Sequence, residues 1–241
     1  MEHYTALSPY LKRRFGSKVY KLSLSAGCTC PNRDGTLGAR GCIFCSGSGE
    51  FAASGSASIP EQLEQAKYIL GKKAQGAKFI AYFQDFTNTY GAVSRLEPLF
   101  LAAMEPDDVV ALSIATRPDC LPEDILRMLS RLRARKPVFV ELGLQTIHDN
   151  TAQYIRRGYP LSVFDDAVQK LHALEIEVIA HQILGLPGET AEMMAETARH
   201  LGSVHVDGVK LHLLHILRGT DLAREYADGR IQMLELDAYI D

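Results

Sequence analysis

The sequence predicts a partial or full (β/α) barrel built as one parallel-stranded domain, and three observations lead there. Six short β-rich apolar runs alternate with longer stretches of helical periodicity. The runs are apolar on both faces, as strands covered by helices are. No Pro-, Gly- or Ser-rich linker separates one strand–helix unit from the next.

The first 17 residues form a basic segment ahead of the first run, VYKLSLS (19–25). The other runs are AKFIAYF (77–83), DVVALSIA (108–115), PVFVELGL (137–144), IEVIAHQIL (176–184) and DGVKLHLLHIL (207–217). Helical patterns follow the first five in turn: EQLEQAKYIL, RLEPLFLAAM, PEDILRMLSRL, SVFDDAVQKLHAL and ETAEMMAETARHL. Ser58, three residues before Glu61 and followed by Pro60, gives the first of these a capping box. Each strand run closes on a polar group: SAGCTC, FQDFTNT, ATRPD, GLQT, HQILGLPGE and HLLHILRGT. In such barrels the chemistry gathers at the C-terminal ends of the strands, so one pocket fed by all six is expected.

Composition excludes other classes. The chain has 241 residues, 46% hydrophobic and 23% charged, too apolar for a disordered chain and without repeats. No apolar run approaches the roughly 18 residues of a membrane span, and MEHYTALSPY has no signal-peptide core. A cytoplasmic protein with reduced cysteines is the expectation. The net charge of −3 is uneven, at +5 over residues 1–45 and therefore −8 over the rest. A basic head suits an anionic partner such as RNA or a solvated surface segment equally well.

Four of the five cysteines, Cys28, Cys30, Cys42 and Cys45, fall within 18 residues; Cys120 stands apart as a packing thiol. Gly35, Gly38 and Gly41 allow the loop to turn so that its thiols converge on a metal or cluster. Four thiolates suit structural zinc or a fully ligated cluster, whereas three leave one iron open for chemistry. Cys28 and Cys30 are expected to point to opposite sides of the chain. Cys30, beside the stiff Pro31, is the better ligand, which gives Cys30, Cys42 and Cys45 as the triad.

The stretch CPNRDGTLGARGCIFC followed by SGSGEF resembles the radical SAM superfamily, as do YFQDFTNTY, IATRPDCLP, ELGLQTIHDNTAQYIRRG, HQILGLPGET and GVKLHLLHILRGT. More closely the chain resembles the YtqA/YhcC-type subgroup, relatives of the Elp3-like enzymes, from about Lys18 to Asp241. The resemblance implies a partial (β/α)6 TIM-type barrel over residues 18–241. It implies a [4Fe–4S] cluster on Cys30, Cys42 and Cys45, with S-adenosylmethionine on the fourth iron, cleaved reductively to a 5′-deoxyadenosyl radical. It further implies a tRNA substrate modified at the wobble uridine and a one-electron donor such as flavodoxin or ferredoxin. Relatives usually continue past the equivalent of Asp241, so either a C-terminal truncation or a short member of the subgroup is expected.

For individual residues, the resemblance has Phe44 stack near adenine and Glu141 take the ribose hydroxyls. Gln84 or Asp85 stands where many relatives bind the methionine amino group. Thr116, Gln145, His181 and His212 end their strands as further cofactor-site candidates. Arg117 suits a carboxylate or phosphate, or a salt bridge at the barrel rim. Arg156 and Arg157, expected in a helix, suit the methionine carboxylate or solvated charge. The turn Gly185–Gly188 opens a helix whose N-terminus favours an anion. Two other readings remain: a zinc-stapled four-Cys RNA-binding module without catalysis, and a barrel hydrolase with a metal on His181, His212 and His215.

Overall fold

The computed structural model describes residues 4–47 and 57–240, so residues 1–3 of the basic head, 48–51 of SGSGEF and Asp241 lie outside the described residues. Six strands form one parallel sheet in sequence order: β1 (Val19–Leu24), β2 (Lys78–Phe83), β3 (Val109–Thr116), β4 (Val138–Gln145), β5 (Glu177–Leu184) and β6 (Gly208–Leu213). β1 and β6 are not neighbours, so the barrel is a half-barrel with an open seam, and of the two expected forms it is the partial one. Five runs match their strands within about a residue. The sixth stops at Leu213, four residues early. As an edge strand it has a ladder on one side only, and Val209 and Leu211 stay exposed at 46% and 55%.

The helical patterns become α2 (Ile59–Leu70), α3 (Val93–Met104), α4 (Glu123–Arg133), α6 (Leu161–Ala173) and α7 (Ala191–Ser203). Short α1 (Leu7–Phe15), α5 (Asp149–Tyr154), α8 (Asp221–Ala227) and α9 (Leu236–Ile240) complete the described helices. The capping box at α2 forms, with Ser58 N donating to Glu61 Oε2 at 2.8 Å. The helices cover the outer face of the sheet, where Leu22, Phe83, Leu112 and Val140 meet Leu63, Phe100 and Met128 in the main core. Phe83 and Phe100 cross edge to face at 4.8 Å. Burying each such side chain contributes roughly 1.5–3 kcal/mol.

The basic head is part of the fold. α1 buries Leu11 against Ile80, Ala111 and Phe139, closing the N-terminal end of the barrel. Tyr10 and Arg14 both bond to Glu177 of β5, Tyr10 at 2.7 Å. Lys12 and Arg13 remain exposed. Above this apolar plug the barrel interior turns polar, and the strand ends open into a cavity.

Candidate functional site

A cavity of about 290 Å³ lies inside the barrel at the C-terminal ends of the strands. Ten of the eleven candidate ligand and cofactor residues line it: Cys30, Cys42, Phe44, Cys45, Gln84, Thr116, Glu141, Gln145, His181 and His212; Arg117 and Arg157 line it too. Asp85 is not among them, and burial raises its pKa. His215 is exposed and also away from the cavity, so the three histidines do not converge.

The cysteine loop is held from several sides. It begins with a tight turn in which Cys30 O accepts from Arg33 N at 2.8 Å. Gly41 N donates to Asn32 O at 2.7 Å, drawing the second half of the loop back to the first. Ile43 N donates to Ile155 O at 3.3 Å, and Leu222 N of α8 donates to Ile43 O at 2.9 Å. Arg33 caps the far end by donating to Cys45 O. Cys28 points elsewhere. It sits in the main core, and Arg95 Nη2 donates to its Sγ at 3.1 Å. An extended chain is not what separates it from Cys30, because residues two apart on a strand share a face. Leu22, Leu24, Ala26 and Cys28 are all buried toward the helices; the backbone turns at Gly27 (φ 61°), and the turn at Cys30 then redirects the chain.

The strand ends are shaped one by one. Ser23 Oγ donates to Gln84 Oε1 at 3.1 Å and orients that amide. Thr116 Oγ1 shares a 2.6 Å hydrogen bond with Thr89. Arg117 holds Asp119 with two bonds, at 2.9 and 2.7 Å, and donates to Arg157 O at 2.9 Å; the expected salt bridge forms, and the residue also lines the cavity. β4 ends in a bulge where Gln145 adopts φ 66°, uncommon for a side-chain-bearing residue. A Cβ on Gly143 would meet Gln145 Nε2 at 2.6 Å, so glycine there leaves room for that amide.

Arg156 and Arg157 are not helical. They follow α5 in a loop where Arg156 has φ 59°. Nor are both solvated: Arg157 is 1% exposed and donates to the carbonyls of Leu144, Thr146 and Tyr159, while Arg156 pairs with Asp221 at 2.6 Å. The carbonyls at the end of β4 and at Tyr159 compensate part of the buried charge; burial still lowers the Arg157 pKa, and its Nη2 has no partner. Thr190, after the Gly185–Gly188 turn, caps α7 by accepting from Met193 N.

Beneath the thiols runs a polar layer that the sequence reading found only in part. Each strand contributes one inward residue: Lys21, Tyr82, Ser113, Glu141, His181 and Lys210. Glu141 is fully buried. Its Oε1 accepts from Lys21 and from Ser113 Oγ at 2.6 Å, and its Oε2 lies 2.8 Å from His181 Nε2 and 3.6 Å from Lys210 Nζ. A ribose hydroxyl would have to share those oxygens. Burial would raise the Glu141 pKa, but the His181 bond and the two lysine charges outweigh it and hold the carboxyl well below the usual range. Burial lowers His181 and Lys210 despite that carboxylate. Burial, then the neighbouring cations, pushes His212 down to about 4, so its ring is neutral at pH 7; its Nε2 has no partner. Lys21 and Lys210 were visible as charges inside apolar strands, the one signal that could have revealed this layer.

The donor set fits an iron–sulfur cluster: three free, soft thiols from one loop on one cavity, with neither Cys28 nor Cys120 among the lining residues. Among the described residues no three His, Cys, Asp or Glu groups are spaced to hold a single metal ion. A half-barrel with such a thiol loop at its mouth is the architecture of radical SAM proteins. The chain belongs to that superfamily: the family model described as "Radical SAM superfamily" matches residues 32–201, and the Radical SAM C-terminal domain matches 206–241. It is 43% identical to the uncharacterized protein YtqA of Bacillus subtilis over 241 residues, covering 99% of this chain and 75% of that one. It is 30% identical over 123 residues to a tRNA uridine(34) acetyltransferase of Methanocaldococcus jannaschii, covering 50% of this chain and 22% of that one. Among solved structures it superposes on an N-terminally deleted Elp3 of Methanocaldococcus infernus with a TM-score of 0.67 and 20% identity, over 90% of this chain and 50% of that one. The YtqA/YhcC-type and Elp3-related resemblance thus holds. Membership implies S-adenosylmethionine and a [4Fe–4S] cluster. Among the described residues no helix is long and apolar enough to cross a membrane.

Proposed function

We propose that this chain is a radical SAM enzyme that modifies the wobble uridine of tRNA, with its cluster on Cys30, Cys42 and Cys45. The observation that carries the enzymatic reading is the convergence of those three thiols, and no fourth, on the cavity at the strand ends. The tRNA reading is supported by the similarity to a tRNA uridine(34) acetyltransferase, and a basic head is compatible with it. When bound, the cluster and S-adenosylmethionine supply one-electron reductive cleavage and a hydrogen-abstracting radical. The residues around the cavity do the rest. Phe44 offers a face to adenine, Gln84 an amide fixed by Ser23, and Gln145 an amide held outward at the β4 bulge. His212 lines the cavity with its Nε2 buried and unpartnered, and Glu141 places a fully buried carboxylate at the cavity floor.

Anaerobic reconstitution tests the first half. About four irons and four sulfides per chain are expected, with absorbance near 400 nm that bleaches on reduction. Replacing Cys30, Cys42 or Cys45 by Ala should abolish it, and Cys28→Ala should retain it. Stoichiometric zinc without labile sulfide would refute the proposal. Incubation with S-adenosylmethionine, dithionite and tRNA tests the second half, where 5′-deoxyadenosine formation should depend on the RNA.

A further inference from the structure

We infer that Asn32 is a positioning residue for the iron–sulfur cluster, acting through a hydrogen bond from its side-chain amide to Cys42. The inference rests on the reading of Cys42 as a cluster ligand. Asn32 is 5% exposed, so its amide is satisfied by the protein. Its Nδ2 carries two hydrogens. Arg156 O lies 2.7 Å away and takes one; Cys42 Sγ lies 3.6 Å away, in range for a sulfur acceptor, with Arg157 O more distant for its kind at 3.5 Å. The Asn32 backbone carbonyl meanwhile accepts from Gly41 N, the residue before Cys42. One residue therefore grips the loop beside Cys42 from both its main chain and its side chain.

The site is built around this amide. A Cβ on Gly158, which has φ 85°, would meet Asn32 Oδ1 at 3.0 Å, so a glycine clears the space in which the amide lies. The carbonyls of Arg156 and Arg157 that flank Nδ2 are themselves fixed. Arg117 donates to the second at 2.9 Å, and the Arg156 side chain is tied to Asp221. The donor is thus aimed before any ligand binds. An N–H directed at a metal-bound thiolate draws electron density from sulfur, favours the more negative reduced cluster and raises its reduction potential.

Asn32→Asp keeps the shape but puts carboxylate oxygens where the donor was, and Asn32→Ala removes the group. In the reconstituted chain both variants should shift the cluster to lower potential, with Asp the larger shift and an altered electron paramagnetic resonance spectrum of the reduced form. A cluster loaded at wild-type iron content with unchanged potential and spectrum would overturn the inference. Should either variant fail to load, the circular dichroism of its metal-free form decides. A folded protein that has lost only iron supports a positioning role, whereas an unfolded one shows a merely structural role and overturns it. Cys42→Ala is the separate control, because retention of full iron there would remove the ligand reading itself whatever Asn32 does.

Discussion

His212 illustrates how much one inward side chain depends on its surroundings. It lies on β6 with its ring 4.9 Å from that of His181, and its pKa is pushed down to about 4 by burial first and then by the charges of His181 and Lys210. An unfolded chain binds a proton at this position near pH 6.5, whereas the folded protein does not until about pH 4. Between those values the unfolded state holds more protons, so stability falls as pH falls across this window and is fully present above it. Urea unfolding midpoints followed from pH 7 to pH 4 should decline for the wild type, and less steeply for His212→Asn. Parallel curves would show that His212 titrates normally. The separation of Cys30 from Cys28 was expected for a reason that fails, since residues two apart on a strand share a face; its cause, the turns at Gly27 and Cys30, was not legible. Asn32 was illegible because the carbonyls that help aim its amide, those of Arg156 and Arg157, lie over a hundred residues away along the chain, on a loop that looked helical.

The strands were readable because both faces are buried, which writes a nearly continuous apolar run into the sequence. β6 departs where that condition lapses, at an edge with exposed Val209 and Leu211. α1 escaped notice for the opposite reason. Its apolar residues Leu7, Leu11 and Phe15 recur at helical spacing, but three consecutive cations, Lys12 to Arg14, dominate the segment. Its role is carried by Leu11, which is 3% exposed and fills the end of the barrel against Ile80, Ala111 and Phe139. Leu11→Ala should cost about 2–5 kcal/mol, the usual range for a truncated core leucine. Chemical denaturation should detect it, together with loosening of the Tyr10 and Arg14 bonds to Glu177. A loss under about 0.5 kcal/mol, the scale of a surface substitution, would mean α1 merely lies on the barrel.

At the scale of the whole molecule, the half-barrel leaves β1 and β6 without backbone bonds between them, and the polar layer spans the gap electrostatically. Lys21 on β1 and Lys210 on β6 both face the carboxylate of Glu141 on β4, with His181 of β5 on the same oxygen as Lys210. A fully buried anion between two cations is costly to assemble but costlier to break, because removing one partner strands the others. Glu141→Gln, near in shape, leaves two ammonium groups facing each other without their counter-charge. It should destabilise the protein by about 3–5 kcal/mol. Adding Lys21→Met should restore part of that loss, because the excess charge goes and Lys21 already lies against the Tyr82 ring, an apolar neighbour for the new side chain. The double-mutant cycle separates this explanation from ordinary packing. Additive losses would mean that Glu141 and Lys21 act independently, and the seam would then be held by backbone and core alone. A recovered double variant would mean that Glu141 and Lys21 are coupled by charge across the barrel interior, which ties β1 to β4.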